Sequence, residues 1–173
     1  GVGVFARVLM EHFPHLPVEE EGRLQDPHLR ENFIERIFTL QRWRATLAAD
    51  RLPAALVDFH TCHKYLIMAH SPSAYSRLGR IVAGVKGRPI RQVCQEYEAI
   101  LLPTLRTMAT SAKHANVLMH MLGYFKATLT ADEKQEMLDM ITNYRRAHLP
   151  LIVPLTLMAH YVRKYRQTYL AKQ

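Results

Sequence analysis

The feature that most constrains this chain is a helical hydrophobic period, repeated along most of its length and supplied with its own start signals. Asp26 and Pro27 precede HLRENFIERIFTLQRWRATLAA, in which Leu29, Phe33, Ile34, Ile37, Leu40 and Trp43 recur at three and four residues. That spacing places them on one side of a helix. An aspartate followed by a proline suits the cap and first position, because the first helical N–H groups have no intrahelical partner and proline lacks one. The same grammar predicts a helix opening at Pro53, another at Ser71-Pro72, another at Pro89, one after the Thr130/Glu133 capping box, and a last one at Pro150. Pro103 and Pro154 fall inside helical patterns and are expected to kink or divide them. Only LPVEE, residues 16–20, has any strand-like alternation. The expectation is an all-α fold, a single domain of about six or seven helices from residue 28 onward, preceded by a short N-terminal remnant of another domain.

Charge divides the chain at the same place. Of 173 residues, 23 are Lys or Arg and 15 are Asp or Glu, a formal charge of +8 with histidine neutral. Residues 1–30 hold three basic and five acidic side chains, so residues 31–173 carry +10. No acid lies between Asp58 and Glu96, where Lys64, Arg77, Arg80, Lys86, Arg88 and Arg91 fall, and none follows Asp139, where Arg145, Arg146, Arg163, Lys164, Arg166 and Lys172 fall. Such one-signed stretches attract polyanions, nucleic acid above all, and also occur as plain solvated surface. LPVEEEGRLQDP, residues 16–27, is rich in turn formers and acids and reads as a joint between units.

Two cysteines, Cys62 and Cys94, stand far apart without C-x-x-C spacing. They fit core thiols in a reducing cytosol and argue against a disulfide framework or structural zinc. No apolar run approaches the ~18–20 residues that span a bilayer, so no membrane partner is expected. The start at Gly1, in a segment of different composition, suggests a piece of a longer protein in the cytoplasm.

Three clusters carry the candidate functional residues. The first is FHTCHKYLIMAHS, residues 59–71, where His60, His63, Lys64, Ile67 and His70 fall within roughly 120° of helical arc. His60 and His63, one turn apart, could both reach a metal ion, but no third ligand or H-E-x-x-H pattern accompanies them. The second is HANVLMHMLGYFK, residues 114–126. There Asn116, His120, Gly123 and Tyr124 share a helical face, Gly123 permits close approach of another backbone or a ligand, and Lys126 follows. The third runs from Tyr144 and Arg145 to Leu170. His160, Arg163, Lys164 and Gln167 lie together, beside a stripe of Tyr161, Tyr165 and Tyr169. Cations beside aromatic rings suit RNA, whose phosphates need charge and whose unpaired bases stack; a tyrosine stripe equally suits half-buried packing. No nucleophile elbow, phosphate-cradling glycine loop or carboxylate pair is present. A histidine acid-base or metal site built on His60, His63 and His120 stays open as an alternative, as does a helical protein-interaction module.

At these same clusters the chain resembles the YbgA-like family of helical domains. The matching stretches are VDFHTCHKYLIMAHS with YSRLGRIVA, then NVLMHMLGYFK, LTADEKQEML and YRRAHLPLIVPLTLMAHY. The resemblance covers residues 31–173, and His60, His63, Lys64, Arg77, Arg80, His120, Tyr124, Lys126, Tyr144 and Arg145 match recurring family positions. The front segment, GVGVFARVLMEHFPHLPVEEEGRLQDPHLRENFIERIF, resembles the end of a TudS-type desulfidase domain (residues 1–30) and its junction with a YbgA-like domain, an arrangement similar to RudS-like fusions. That resemblance implies a tRNA 4-thiouridine desulfidase whose cysteine-held iron-sulfur cluster lies upstream of Gly1, with the helical part binding tRNA and orienting it for the upstream domain. It implies no catalytic residue, metal or cofactor within this stretch. The expected RNA contacts are the ten matched positions together with Lys86, Arg88, Arg91, His160, Arg163 and Lys164.

Overall fold

The computed structural model describes residues 3–173, so Gly1 and Val2 of the expected remnant lie outside the described residues. Among those described, the elements are all helical. In order they are α1 (Val4–His12), a 3-10 turn (Glu21–Gln25), α2 (Pro27–Leu47), α3 (Leu52–His70), α4 (Pro72–Ala83), α5 (Ile90–Leu105) and α6 (Ser111–Leu122). A second 3-10 turn (Gly123–Phe125), α7 (Ala131–Arg145), α8 (Ile152–Lys164) and a last 3-10 turn (Leu170–Lys172) complete the chain. The expected all-α class is therefore found, with seven helices from α2 onward. LPVEE forms no strand; residues 17–20 are irregular.

The start signals act locally, as expected. Asp26 accepts from the N–H groups of His28 (2.8 Å) and Leu29 (3.1 Å), with Pro27 at the first helical position. Thr130 accepts from Glu133 N–H at 3.2 Å while the Glu133 carboxylate accepts from Thr130 N–H at 2.9 Å, a complete capping box. The two interior prolines divide neither helix. α5 runs through Pro103 and ends two residues later, and Pro154 sits in the first turn of α8, where a missing N–H removes no intrahelical bond.

The chain forms two compact units. The first comprises residues 1–60 and 73–108, the second 61–72 and 109–173, so α3 begins in one and ends in the other.

In the first unit α2 packs on α5 around Trp43, which is fully buried. Its ring stacks on Tyr97 and meets Phe59 edge-on, each at 5.1 Å between centroids. Each such pair adds about 0.5–1.5 kcal/mol beyond area burial. The indole N–H donates to Glu98 Oε2 at 2.6 Å, so the buried donor is satisfied. Asn32 Nδ2 donates to the carbonyl of Leu105 at 3.0 Å, covering one of the orphan acceptors at the end of α5. The α2 stripe read from the sequence is buried only in part: Leu40 and Trp43 are inside, whereas Ile34 and Ile37 are exposed.

In the second unit α7 packs against α6 and α8. Its core joins Tyr65, Leu118, Leu122, Phe125, Met137, Ile141, Met158 and Tyr161. Lys113 Nζ donates to the carbonyl of His70 at 2.7 Å, placing a cation where the last turn of α3 carries partial negative charge. Two helix ends share a less common device. Ala147 (φ 59°) follows α7 and Arg166 (φ 49°) follows α8, both in the left-handed region. His148 N–H bonds the Asn143 carbonyl and Ala147 N–H that of Tyr144; Gln167 N–H bonds Val162 and Arg166 N–H bonds Arg163. Both are Schellman closures without glycine.

Candidate nucleic-acid interface

α3 is buried on more than one side, and the face expected to be polar and cationic is largely inside too. His63 and His70 are 7% and 1% exposed, with Ile67 beside them at 0%. Their rings are core groups, and His63 cannot present itself to a large ligand from that position. His60 is half-buried in the first unit, its Nδ1 within 3.0 Å of the Tyr97 hydroxyl and its ring parallel to that of Tyr75. Among the described residues no three His, Cys, Asp or Glu are grouped to hold a metal ion. Cys62 and Cys94 are free thiols, and burial followed by the nearby Glu98 charge pushes the Cys94 thiol up.

Lys64 has a different fate. Its Nζ lies 4.5 Å from the centroid of the Tyr169 ring, 4.6 Å from that of Tyr65 and 5.8 Å from that of Tyr124, and it donates to the Tyr124 hydroxyl at 3.3 Å. Tyr124 and Tyr169 stack on one another at 5.3 Å. Three tyrosines thus hold the ammonium through ring faces and a hydroxyl, an arrangement worth about 0.5–2 kcal/mol per cation–π contact. A hydrogen bond from Tyr65 and the neighbouring Lys64 charge hold the Tyr124 phenol below its ordinary value, while burial pushes Tyr65 up. Nothing among the described residues approaches Gly123 closely: a Cβ there would meet no atom within 4 Å, and its backbone is ordinary helix.

The tyrosine stripe is mostly packing. Tyr161 is buried, its hydroxyl 3.0 Å from Glu136 Oε2. Tyr165 donates to Glu133 Oε2 at 2.6 Å, and Lys164 Nζ donates to Glu133 Oε1 at 2.7 Å. Lys164, Tyr165 and the Thr130 N–H together hold the Glu133 carboxyl down at about 2. Tyr144 is buried and its hydroxyl lies 2.6 Å from His114 Nδ1, joining α7 to α6. Tyr144 therefore leaves the set of direct contacts, and Lys164 enters any contact already paired.

Charge is distributed unevenly between the units. The first holds 13 Lys or Arg against 11 Asp or Glu, a net of +2. Its acid-free sequence stretch is not acid-free in space. Arg88 pairs with Glu96 at 2.6 Å, and Arg91 lines a cleft that Asp50 and Glu98 also line. Arg77, Arg80 and Lys86 are exposed. The second unit holds ten Lys or Arg against four acids, a net of +6, and all four acids, Asp132, Glu133, Glu136 and Asp139, sit on α7. There Lys126, Arg145 and Arg163 are exposed, as are His120 and His160. Arg146 and Arg166, not singled out by the cluster reading, are exposed too, and the acid-free tail after Asp139 was the signal for both.

Residues 64–173 match the family described as "Protein of unknown function (DUF1722)". Over 139 residues the chain is 32% identical to the "Uncharacterized protein YbgA" of Escherichia coli (strain K12), spanning 80% of this chain and 82% of that protein. No solved structure matches. The segment that matches the family starts at Lys64, inside its tyrosine cage, and takes in α6, α7, α8 and the cations around them; the chain belongs to the YbgA-like, DUF1722 family.

Proposed function

We propose that this chain is an RNA-binding module whose partner is tRNA, and that it acts as the auxiliary domain of a tRNA 4-thiouridine desulfidase. Its role is to hold and orient tRNA for an upstream iron-sulfur domain. The observation that carries the reading is the charge arrangement of the second unit. Lys126, Arg145, Arg146, Arg163 and Arg166 are exposed and form no ion pair among the described residues, while the acids of that unit are confined to one helix. Uncommitted cations are what a phosphate backbone requires, since each contact releases a condensed counterion. In the first unit Arg77, Arg80 and Lys86 offer the same chemistry, with Arg88 already committed to Glu96.

The desulfidase context rests on the resemblance of residues 1–30. In its favour, α1 has no buried residue and exposes Val4, Phe5 and Val8, an apolar side that a neighbouring domain would cover. Neither cysteine is assigned a part in the chemistry.

The test is binding of unmodified and 4-thiouridine-containing tRNA to the whole chain across a salt series. Micromolar or tighter binding is expected, with log K falling by roughly 0.7–0.9 per phosphate contact for each tenfold rise in salt. Equal affinity for both tRNAs would place sulfur recognition in the desulfidase domain. Absence of binding at low salt would end the RNA reading.

A further inference from the structure

Between α6 and α7 runs a groove of about 800 Å³, within the ~300–1,000 Å³ range of small-ligand sites. Each helix contributes one stripe at the same spacing. From α6 come Ala112, Ala115, Asn116 and Met119, and from α7 Leu138, Ile141, Thr142 and Arg145, both sets at i, i+3, i+4 and i+7. Arg146 closes the end. The groove is thus apolar along its length, with one amide, one hydroxyl and two guanidinium groups.

No acid lines it. At 100° per residue, Asp132, Glu133, Glu136 and Asp139 fall on the side of α7 away from Leu138, Ile141, Thr142 and Arg145. The geometry is held from behind by the 2.6 Å contact between His114 and the Tyr144 hydroxyl, which fixes the end of α7 that bears both arginines.

We propose that this groove seats one unstacked nucleotide of a single-stranded RNA segment, an inference that rests on the RNA-binding reading above. The two arginines take the phosphate as charge-assisted donors. The ring lies against Met119, Leu138 and Ile141, and its edge meets the Asn116 amide and the Thr142 hydroxyl, which together offer donors and acceptors. A purely aliphatic anion would satisfy the arginines and the apolar walls but leave Asn116 and Thr142 desolvated without partners, at a cost comparable to a lost hydrogen bond. A base edge answers both. Unpaired nucleotides are also the part of RNA whose bases can be splayed into a protein site, since the deep groove of the A-form helix admits no side chain.

The test compares a single-stranded RNA hexamer, a blunt RNA duplex and the four ribonucleoside 5′-monophosphates, each titrated against the full chain and its variants. Asn116→Ala and Thr142→Val are exposed substitutions, with circular dichroism and melting temperature as folding controls. Each is expected to lower hexamer affinity about 3- to 10-fold, the range of one hydrogen bond, and to leave duplex affinity unchanged. Arg145→Ala with Arg146→Ala should lower hexamer affinity more and flatten its salt slope. Folded Asn116→Ala and Thr142→Val variants that bind the hexamer like the parent would overturn the proposal. So would a mononucleotide bound as tightly as the hexamer, which would reassign the groove to free nucleotides. If tRNA binds while both variants are silent, only the groove assignment falls; if no RNA binds at all, the functional reading falls with it.

Discussion

Replacing Ala147 by glycine should stabilise the protein, although it removes a side-chain carbon and adds no contact. Ala147 closes α7 at φ 59°, and the two closing bonds, His148 N–H to Asn143 and Ala147 N–H to Tyr144, are both 2.9 Å, so the motif is fully formed despite the residue in it. An L residue in the left-handed region loses roughly 1–2 kcal/mol because Cβ crowds its carbonyl oxygen. Glycine escapes that strain but has more freedom to lose on folding, about 0.4–1 kcal/mol. The difference leaves Ala147→Gly more stable by about 0.5–1 kcal/mol. With a urea slope of about 1–3 kcal/mol per molar, the unfolding midpoint should rise by roughly 0.2–1 M with the slope unchanged. Ala147→Val is the opposing control, because a β-branched side chain tolerates this region least. The assay is urea denaturation followed by far-ultraviolet circular dichroism. An unchanged or lowered midpoint in Ala147→Gly, or a valine variant as stable as the parent, would refute the reasoning. Because Arg145 and Arg146 immediately precede the closure, the glycine variant also asks whether its geometry sets their position, through the hexamer affinity.

Two further outcomes follow from the same structure. The Glu133 carboxyl is held at about 2 against an ordinary value of 4.5, so its stabilisation is fully present above about pH 4.5 and is lost as pH falls through about 2. Melting temperature should therefore fall less steeply between pH 4.5 and 2 in Glu133→Gln than in the parent, and parallel curves would remove Glu133 as the source. Trp43→Phe should cost about 2 kcal/mol by denaturation, because it empties part of a fully buried site and removes the donor to Glu98; a loss below about 0.5 kcal/mol would show that the aromatic cluster repacks freely.

The candidate site was legible in its ingredients and less so in their use. His60, His63, Lys64 and His70 stood out as a polar helical face, yet a period alone does not say which face is buried. His63 and His70 went inward because the partners they pack with arrive from elsewhere in the chain. Arg88 and Lys164 counted as free cations until Glu96 and Glu133 came within 2.6 Å and 2.7 Å of them. The groove between α6 and α7 left only a faint trace, the matched spacing of Asn116 with Met119 and of Thr142 with Arg145.

By itself the sequence determined the all-α class, the helix starts at Asp26-Pro27 and Thr130-Glu133, and the positive charge of the chain after residue 30, because caps and periods act over three or four residues and charge is a sum. Tertiary structure alone decided that Lys64 would sit among tyrosines one, 60 and 105 positions away, that the acids of the second unit would gather on one side of α7, and that α6 and α7 would leave a groove between equal stripes. Those outcomes depend on which helices pack together, and packing is settled by shape and burial across the whole chain rather than by any local residue preference.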